Sequence, residues 1–576
     1  MPKFRWILWF FVAACSVLPS LQLAAAEASV TVLAHGRIWT GNPRQPWAQA
    51  IAFRNDGRIL QVGTDASVLA QWRRGAQLED LEGRTVIPGI VDSHMHMLYG
   101  AYALHGLNLA TPEASITPYK ADVIVARLGS YAAEHPDDAV LFARGDFDST
   151  PPNTPGKEIL DRAVPDRPVI VHNTSEHALW VNSAALKLAG IGDYPLADPV
   201  LERGIIRDAS GHPLGVIIEA GMEAIETAVA VKVPRETKLA YLLEAQRHLN
   251  SYGITSIVNA TGNLDELRLF GTLHERGQLT VRTRTAFGSV ALPHRLTPQF
   301  LADLEEARHT YHDEWVAANL VKFFLDGSTG LVPPLVYEPH AYEELVMDLD
   351  ARGYQIATHA IRKDSVHLAL DVYEHVLQAH GPHDRRLRVE HLDVIDATDV
   401  PRFAKLGVIP DMQPVFCCGE EGGNYDLNHP VVTDPWHSLA ASGAPLAFSS
   451  DWPCSWPVDP FNNMQQAVTR LVWKSADTDP ILGNPLEGAA QSGARPTGKV
   501  YTPQERVSAE IALSAYTRGG AYAAFSDDRV GTLEPGKLAD LAVLSQNLLE
   551  VEPQAIGKTQ VRETWVGGRR VYQRPP

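Results

Sequence analysis

Residues 86–96 read VIPGIVDSHMH, an apolar run with a Pro-Gly turn that leads to two histidines separated by one residue. Because alternate side chains of a β-strand point to the same face, His94 and His96 can present two imidazoles to one point. Ligands of one metal ion must converge on one point in this way. A His-x-His pair alone is weak support, since most histidines are hydrogen-bonded or surface residues. The stretch therefore predicts a strand with a candidate metal site at its carboxyl end.

Seven further short runs rich in Val, Ile and Phe follow along the chain. Between them, stretches such as 239–252, 301–315 and 364–378 carry apolar residues at helical spacing. Eightfold alternation of strand and helix is typical of an α/β fold, the (β/α)₈ TIM-like barrel, whose active site lies at the carboxyl ends of the strands. The eight predicted strands are 86–91, 254–259, 281–287, 320–325, 355–359, 387–391, 408–412 and 445–450.

The two ends of the chain differ from the middle. Both contain brief strand-like pieces joined by Gly-containing turns, which together predict a small β-sandwich domain built from both termini. The stretch 110–235 is rich in Pro, Asp and Gly and contains none of the eight predicted barrel strands. We therefore expect an inserted domain or lid after strand 1. The predicted division is a targeting segment at 1–26, sandwich at 27–86 and 527–576, barrel at 87–109 and 236–526, and insertion at 110–235.

The first 26 residues have the pattern of a secretory signal peptide. Lys3 and Arg5 precede the apolar stretch 6–18, and Ala24-Ala25-Ala26 supplies the small residues of a cleavage site. The apolar core is shorter than the roughly 20 residues that span a bilayer, which argues against a membrane anchor. The sequence therefore predicts a periplasmic or secreted protein. A lipoprotein attached at Cys15 ranks below simple cleavage.

Composition excludes several classes of protein. The chain has 576 residues, is 45% hydrophobic and carries a net charge of −18. Such a chain is too apolar for disorder, and its acidity opposes nucleic-acid binding, which depends on Lys and Arg. The expected partner is a small-molecule substrate, and the sequence leaves open whether the chain forms a homo-oligomer.

Cleavage of the signal would leave three cysteines, namely Cys417, Cys418 and Cys454. Three is too few for a disulfide scaffold. We prefer structural thiols, or a bridge that involves Cys454, over metal ligation. Cys417 and Cys418 follow predicted strand seven, close to the expected barrel mouth.

Residues of metal-ligand type also end later predicted strands, namely His359, His391 and Asp451. They can converge with the first two histidines only if the barrel closes, and they then form a nitrogen and oxygen site that suits zinc. Lys322 lies inside an apolar strand, where an uncompensated charge costs several kcal/mol. It either pairs with Asp326 or another acid, or its amine has reacted with CO₂ to a carbamate that bridges two metals.

These motifs, in this order, resemble the amidohydrolase superfamily, and most closely its family 3 branch of YtcJ-like and N-substituted formamide deformylase-like enzymes. Nearly all of the exported chain takes part in the resemblance. The supporting stretches are DRAVPDR at 161–167, HALWVNSAALKLAG at 177–190, RDASGHPLG at 207–215, GITS at 253–256 and GTLEPGKLADL at 531–541.

The resemblance implies one or two divalent ions, usually Zn²⁺, with Mn²⁺ or another divalent metal as an alternative. It implies that His94 and His96 hold the more buried metal together with Asp451. By the same resemblance the remaining candidates serve a second ion: His359 and His391 hold it or orient the substrate carbonyl, and Lys322 bridges the two ions as N6-carboxylysine.

The expected function is an exported hydrolase of a carbon–nitrogen bond in an amide, N-acyl or N-formyl group. A metal lowers the pKa of its bound water to about 7, and Asp451 would take the proton and return it to the leaving nitrogen. His177 on the insertion either contacts the substrate or packs beside Trp180. The alternatives are an esterase, lactonase or phosphoesterase on the same metal site, and a secreted binding protein without catalysis.

Overall fold

The structure is a computed structural model. It describes residues 29–109, 120–149, 152–174, 176–288, 297–327, 337–417, 431–456, 458–474 and 495–575. The predicted targeting segment at 1–26 lies outside the described residues, so export stays a prediction. Cys15 and Cys418 lie outside them as well.

The central sheet is a barrel of eight strands whose order in space follows the chain, which confirms the predicted α/β fold class. The first and last strands meet where the N–H of Asp451 donates to the carbonyl of His94 at 2.8 Å. Beside this contact the N–H of Ser450 donates to Oδ1 of Asp92 at 3.0 Å. Barrel strands 1 to 8 are Ile90–Met95, Ile254–Gly262, Arg282–Gly288, Val316–Phe324, Gln355–Ala360, Arg388–His391, Ile409–Met412 and Ala447–Phe448.

The predicted strand 86–91 is wrong in its bounds because two strands share this stretch. Thr85–Pro88 belongs to the terminal β-sandwich, and barrel strand 1 begins at Ile90. Gly89 lies between them, and a Cβ there would come within 2.2 Å of the hydroxyl of Thr255. The close approach therefore requires glycine where the chain passes from the sandwich into the barrel.

Helices cover the outside of the barrel and bury one apolar stripe each. In helix Lys363–His380 the buried residues Val366, Leu370 and Tyr373 recur at intervals of four and three, which places them on one face. The other helices around the barrel are Met97–His105, Arg235–Ser251, Leu264–Glu275, Pro298–Thr310, Pro339–Ala351, Val400–Leu406, Trp436–Ser442, Pro460–Thr469, Ala509–Ser514 and Gly520–Ala523.

The predicted helix 301–315 is displaced toward the N-terminus and spans Pro298–Thr310. Its early end has a local cause, because Oδ1 of Asp313 accepts the N–H groups of Trp315 and Val316 at 2.7 and 2.8 Å. This turn competes with the helical hydrogen bonds and directs the chain into barrel strand 4.

Residues from both ends of the chain build the β-sandwich. Phe53 of one sheet packs edge to face on Trp565 of the other, with 5.6 Å between ring centroids. In spatial order the first sheet contains Ile59–Gly63, Ala50–Arg54, Val30–Ala34 and Gln77–Asp80. The second contains Arg569–Gln573, Val561–Val566, Leu541–Leu544, Thr85–Pro88, Arg37–Trp39 and Trp47–Ala48.

The insertion after barrel strand 1 has its own sheet of six strands. On one face of the sheet, Trp180 packs with Leu128 and Leu160 of the helices in a separate apolar core. On the other face, Ile170 and Leu179 belong to the barrel core. The strands are, in spatial order, Ile205–Arg207, Pro213–Ile218, Ala178–Val181, Val169–Asn173, Leu141–Gly145 and Leu107–Asn108. Its helices are Ala121–Glu134, Glu158–Ala163, Ser183–Leu188, Pro199–Glu202 and Met222–Lys232.

Smaller elements lie around these three parts. Helix Asp65–Trp72 packs on the first sandwich sheet. The short antiparallel pairs are Val394–Asp396 with Val431–Thr433 and Leu471–Lys474 with Arg495–Val500. In the described part of the chain, no helix is both long enough and apolar enough to cross a membrane.

Candidate metal centre

His94 in barrel strand 1 is only 1% exposed, and both of its ring nitrogens face polar groups. Nδ1 lies 2.5 Å from Oε2 of Glu390, and Nε2 lies 3.4 Å from Oδ1 of Asp451. Burial lowers the pKa of His94 well below its ordinary value, so the ring is neutral. Because the carboxylate of Glu390 accepts a hydrogen bond from Nδ1–H, the proton of the neutral ring stays on Nδ1. Nε2 therefore carries a lone pair, which is directed toward Asp451.

His96 reaches the same carboxylate from a different element. It lies one residue beyond barrel strand 1, at the start of helix Met97–His105, so the predicted strand alternation does not extend to it. Its Nδ1 lies 2.7 Å from the hydroxyl of Thr261, and its Nε2 lies 3.2 Å from Oδ1 of Asp451. The two histidines therefore present the same type of nitrogen to one oxygen.

Asp451 is held by its backbone at the junction of barrel strands 8 and 1. Its φ of +56° lies in the left-handed region, which is uncommon for a residue with a side chain and recurs at functional sites. Burial raises the pKa of its carboxyl, but the surrounding groups, among them the imidazole of His96, outweigh burial and hold this pKa below the ordinary value. The carboxylate therefore stays ionised.

His391 and His359 end barrel strands 6 and 5. The ring centroid of His391 lies 5.0 Å from that of His94 and 4.3 Å from that of His359. One ligand atom from each of His94, His391 and Asp451 lies within 4.8 Å of the other two. His359 is set to the side of this group, with its Nε2 3.3 Å from Oδ1 of Asp326.

Lys322 in barrel strand 4 is 1% exposed and points into the same group. Its Nζ lies 3.3 Å from Nε2 of His94. The carboxylate of Asp326, a predicted partner of Lys322, instead accepts the N–H groups of Ile361 and Arg362 at 3.0 to 3.1 Å. Burial lowers the pKa of Lys322, which favours the uncharged amine.

The donor set fits a divalent cation. Oδ1 of Asp451 is buried and has no hydrogen-bond partner among the residues that the structure describes. A buried carboxylate oxygen of this kind is costly unless a positive group compensates it. Neutral imidazole nitrogens and a carboxylate are ligands that zinc prefers. His94, His96, His391, Lys322 and Asp451 thus lie close together, with His359 beside His391, and the roles of all six as ligands stay predictions.

Sequence reasoning missed the charged network behind His94. Nε of Arg388 donates to Oε1 of Glu390 at 2.8 Å, and Nη2 of Arg388 donates to Oδ2 of Asp411 at 2.8 Å. All three side chains are almost fully buried. One signal was present, because Arg388 and Glu390 are alternate residues of one strand and therefore share a face. The network orients Glu390 and so fixes the ring of His94.

The insertion reaches the metal centre through His177. The ring centroid of His177 lies 5.9 Å from that of His359, and its Nδ1 lies 3.0 Å from Oε2 of Glu219. The insertion also contributes Arg144, which is 7% exposed and has its Cζ 5.6 Å from the ring centroid of Trp456. Within the described ranges, the Nε of Arg144 has no hydrogen-bond partner. The insertion therefore places polar groups beside the barrel mouth.

The two cysteines that the structure describes differ in state. Cys417 is disulfide-bonded, whereas Cys454 is a buried thiol. A bridge that involves Cys454, one of the two arrangements expected from the sequence, is therefore not formed. Metal ligation by Cys417 is not compatible with its disulfide.

Comparison with known proteins identifies relatives of this chain. The chain is 28% identical over 594 residues to Protein LONG AFTER FAR-RED 3 of Arabidopsis thaliana, which covers 97% of this chain and 94% of that protein. It is 24% identical over 568 residues to N-substituted formamide deformylase of Arthrobacter pascens, which covers 94% of this chain and 98% of that enzyme.

A solved structure shares the fold. An uncharacterized metal-dependent hydrolase from Pyrococcus horikoshii OT3 superposes with a TM-score of 0.66 at 22% identity, over 91% of this chain and 99% of that one. The sequence profile described as Amidohydrolase family, in its Amidohydro_3 branch, matches residues 77–572. The predicted family is thereby confirmed: this chain belongs to the amidohydrolase family.

Proposed function

We propose that this protein is a metal-dependent hydrolase that cleaves a carbon–nitrogen bond outside peptides, in an amide, N-acyl or N-formyl group. The observation that carries the proposal is the position of Oδ1 of Asp451, which lies 3.4 Å from Nε2 of His94 and 3.2 Å from Nε2 of His96. Kinship with N-substituted formamide deformylase supports the bond class.

In this proposal His94, His96 and Asp451 hold a divalent ion, with Zn²⁺ preferred and Mn²⁺ as the alternative. His391 and His359 hold a second ion or orient the substrate carbonyl. A bound divalent ion supplies Lewis acidity, which acidifies water and polarises a carbonyl. The chain supplies the neutral imidazoles and the burial that this chemistry needs.

Lys322 is proposed to carry a carboxyl group on Nζ. Its amine is buried beside His94, where the uncharged form is favoured and its lone pair can attack the carbon of CO₂ with loss of one proton. The product is an anion in place of a buried amine. Its charge compensates the cationic centre, which makes carboxylation and metal binding mutually supportive.

Asp451 is proposed to be the catalytic residue that moves the proton. An ionised carboxylate at the barrel mouth can accept the proton of the attacking water and return it to the leaving nitrogen. Its φ of +56° and the hydrogen bond from its own N–H to His94 fix the carboxylate relative to the histidines. His177 is proposed to contact the substrate, since it enters from the insertion and faces His359.

The buried guanidinium of Arg144 refines the proposed substrate class. It lies on the insertion over Trp456, and its Nε has no hydrogen-bond partner among the described residues. A buried Arg of this kind binds an anionic group well, because it offers several donors in a planar arrangement. We therefore expect substrates with a carboxylate or another anion beyond the bond that is cleaved.

The signal-peptide pattern of residues 1–26 leads us to propose export of the mature chain to the periplasm or the medium. N-terminal sequencing of the protein from a bacterial periplasmic fraction tests this proposal. A mature terminus at Glu27 is expected, and an intact N-terminus in the cytoplasmic fraction contradicts it.

Purified protein should be analysed for bound metal. It should also be assayed against formamides and acetamides of one set of amines and against the matching esters of the corresponding alcohols. Hydrolysis of the amides with at least one tight metal equivalent is expected. Asp451→Asn should abolish turnover, while Asp459→Asn, which replaces a buried helix cap by another good cap, should retain it. Cleavage of esters alone would contradict the bond class, and lack of any metal would contradict the proposal as a whole.

A further inference from the structure

A second group of metal-ligand residues lies outside the barrel mouth. His105 ends helix Met97–His105, and His135 and Asp138 lie in the turn that follows helix Ala121–Glu134 of the insertion. Each contributes one ligand atom, and these three atoms lie within 4.8 Å of one another. We propose that the His105–His135–Asp138 cluster is a zinc-type metal site that joins the insertion to the barrel.

The distances within the cluster suit a tetrahedral ion. Oδ2 of Asp138 lies 3.1 Å from Nε2 of His105 and 3.6 Å from Nδ1 of His135. Ligand atoms about 2.0–2.1 Å from a tetrahedral zinc lie roughly 3.3 Å from one another. The observed separations bracket this value. Two nitrogens and one carboxylate oxygen also match the ligand types that zinc prefers.

The ligand rings are held in place before any ion binds. The ring of His105 stacks on Tyr241 with 4.1 Å between centroids, and the ring of His135 lies 4.2 Å from that of Tyr131. The hydroxyl of Tyr131 donates to the carbonyl of His105 at 3.0 Å. Such packing lowers the conformational entropy that the side chains lose on binding.

The turn that carries two of the ligands is also fixed. Nη1 of Arg167 donates to the carbonyl of His135 at 2.6 Å and to that of Asp138 at 3.2 Å. Nη2 of the same guanidinium donates to the carbonyl of Ala132 at 2.6 Å. Arg167 therefore fixes the turn through its backbone carbonyls, while Nε2 of His105 and Oδ2 of Asp138 are hydrogen-bonded to each other, a contact that an ion would replace.

The cluster is open to solvent, which can supply a fourth ligand. A cavity of about 30 Å³, large enough for an ordered water molecule, is lined by Asp138, Thr237 and Tyr241 but by neither histidine. The side chains of His105, His135 and Asp138 are 21%, 30% and 17% exposed, so an ion can reach them from solvent.

The cluster is separate from the candidate metal centre. Helix Met97–His105 begins directly after His96 and has 9 residues, so at about 1.5 Å per residue His105 lies roughly 13.5 Å beyond His96 along the axis. An ion in the cluster would connect the first barrel helix to the insertion. Its expected role is structural, since it would hold the insertion over the barrel mouth and stabilise the folded state by binding it selectively.

The test counts metal by difference, so it does not depend on what the barrel mouth binds. Full-length protein is stripped with a chelator, titrated with Zn²⁺ alone and desalted, and its zinc is measured by plasma mass spectrometry. Wild type is expected to retain one equivalent more than His135→Gln and Asp138→Asn. Both variants should retain hydrolytic activity when zinc is supplied. His340→Gln is the control, because His340 forms an exposed pair with Glu344 at 3.6 Å.

A second measurement separates metal loss from misfolding. The Tm of the stripped protein should be the same for wild type and Asp138→Asn, and zinc should raise it further in wild type than in this variant. Equal zinc counts in wild type, the two cluster variants and the control would overturn the proposal. Equal zinc-dependent shifts of Tm would overturn it as well.

Discussion

Nδ1 of His94 lies 2.5 Å from Oε2 of Glu390, and the two residues are 296 positions apart in the chain. This contact joins barrel strand 1 to barrel strand 6 and sets which nitrogen of His94 faces Asp451. A carboxylate behind a ligating histidine fixes the tautomer and makes the ring more basic. In the proposed metal centre, the metal affinity therefore depends on a residue that is not itself a predicted ligand.

Replacement of Glu390 by Gln should weaken metal binding about 10–100-fold. The neutral amide is a weaker acceptor than the carboxylate for the hydrogen bond from Nδ1–H of His94, so the ring becomes less basic. Competition with a chromophoric chelator measures the effect. Glu505→Gln serves as the control for loss of a buried carboxylate, since Glu505 accepts the N–H and hydroxyl of Ser438 away from the centre. Equal metal affinity in Glu390→Gln and wild type would show that Glu390 has no positioning role.

Replacement of Lys322 by Met should remove one tightly bound metal equivalent while it raises the Tm of the metal-free protein. The buried amine is costly without an ion, and an apolar side chain of similar length avoids this cost. Native mass spectrometry of wild type in bicarbonate should show an added CO₂ that the variant lacks. Unchanged metal content in the variant, together with no CO₂ adduct on wild type, would exclude the carboxylated lysine.

Replacement of His177 by Asn should lower kcat/KM about 10–100-fold through loss of a substrate contact and leave metal content unchanged. His212→Asn is a suitable control, because His212 is an exposed histidine of the same insertion. Steady-state kinetics on the best amide substrate distinguish the two variants. Wild-type kinetics for His177→Asn would assign the residue to packing alone.

Glu266 predicts a pH dependence of stability. Burial raises the pKa of its carboxyl from 4.5 to about 8. The unfolded chain releases this proton above pH 4.5, whereas the folded chain holds it until about pH 8, so the stability contribution is complete below 4.5 and is lost across this window. The free energy of unfolding should therefore fall as pH rises through that range.

Glu266→Gln removes this titration and should flatten the slope, with a stability gain at pH 8 on the order of a few kcal/mol relative to wild type. Urea unfolding at a series of pH values measures it. The control is Glu275→Gln, an exposed residue at the end of the same helix, Leu264–Glu275. A gain at pH 4.5 as large as that at pH 8 would contradict the assigned shift.

The barrel could be predicted because its signals are local. Each strand is a short apolar run, and each candidate ligand follows such a run directly, as His359 and His391 do. The boundary within 86–91 was missed, although a Pro-Gly turn at 88–89 lies between Thr85–Pro88 and barrel strand 1. The turn does not show that the two strands belong to different sheets, and the close contact of Gly89 with Thr255 at this boundary exists only in the folded chain.

The hydrogen-bond partners of the candidate ligands could not be predicted from the sequence for a related reason. Thr261 beside His96 is 165 residues distant in sequence, and an isolated threonine carries no signal for such a contact. Pairing of Lys322 with Asp326 or another acid was one of two interpretations of the sequence, yet Asp326 caps the backbone after barrel strand 5 and faces His359. These partners are set by the direction of side chains inside a closed barrel, which spacing along the chain does not encode.

The most direct test of the proposed metal centre is a crystal structure of the zinc-loaded protein with anomalous data collected above and below the zinc absorption edge. An anomalous peak is expected at the barrel mouth, about 2.0–2.2 Å from a carboxylate oxygen of Asp451 and from Nε2 of both His94 and His96. An ordered barrel mouth with Asp451 turned away from both imidazoles, and no anomalous peak between them, would contradict it.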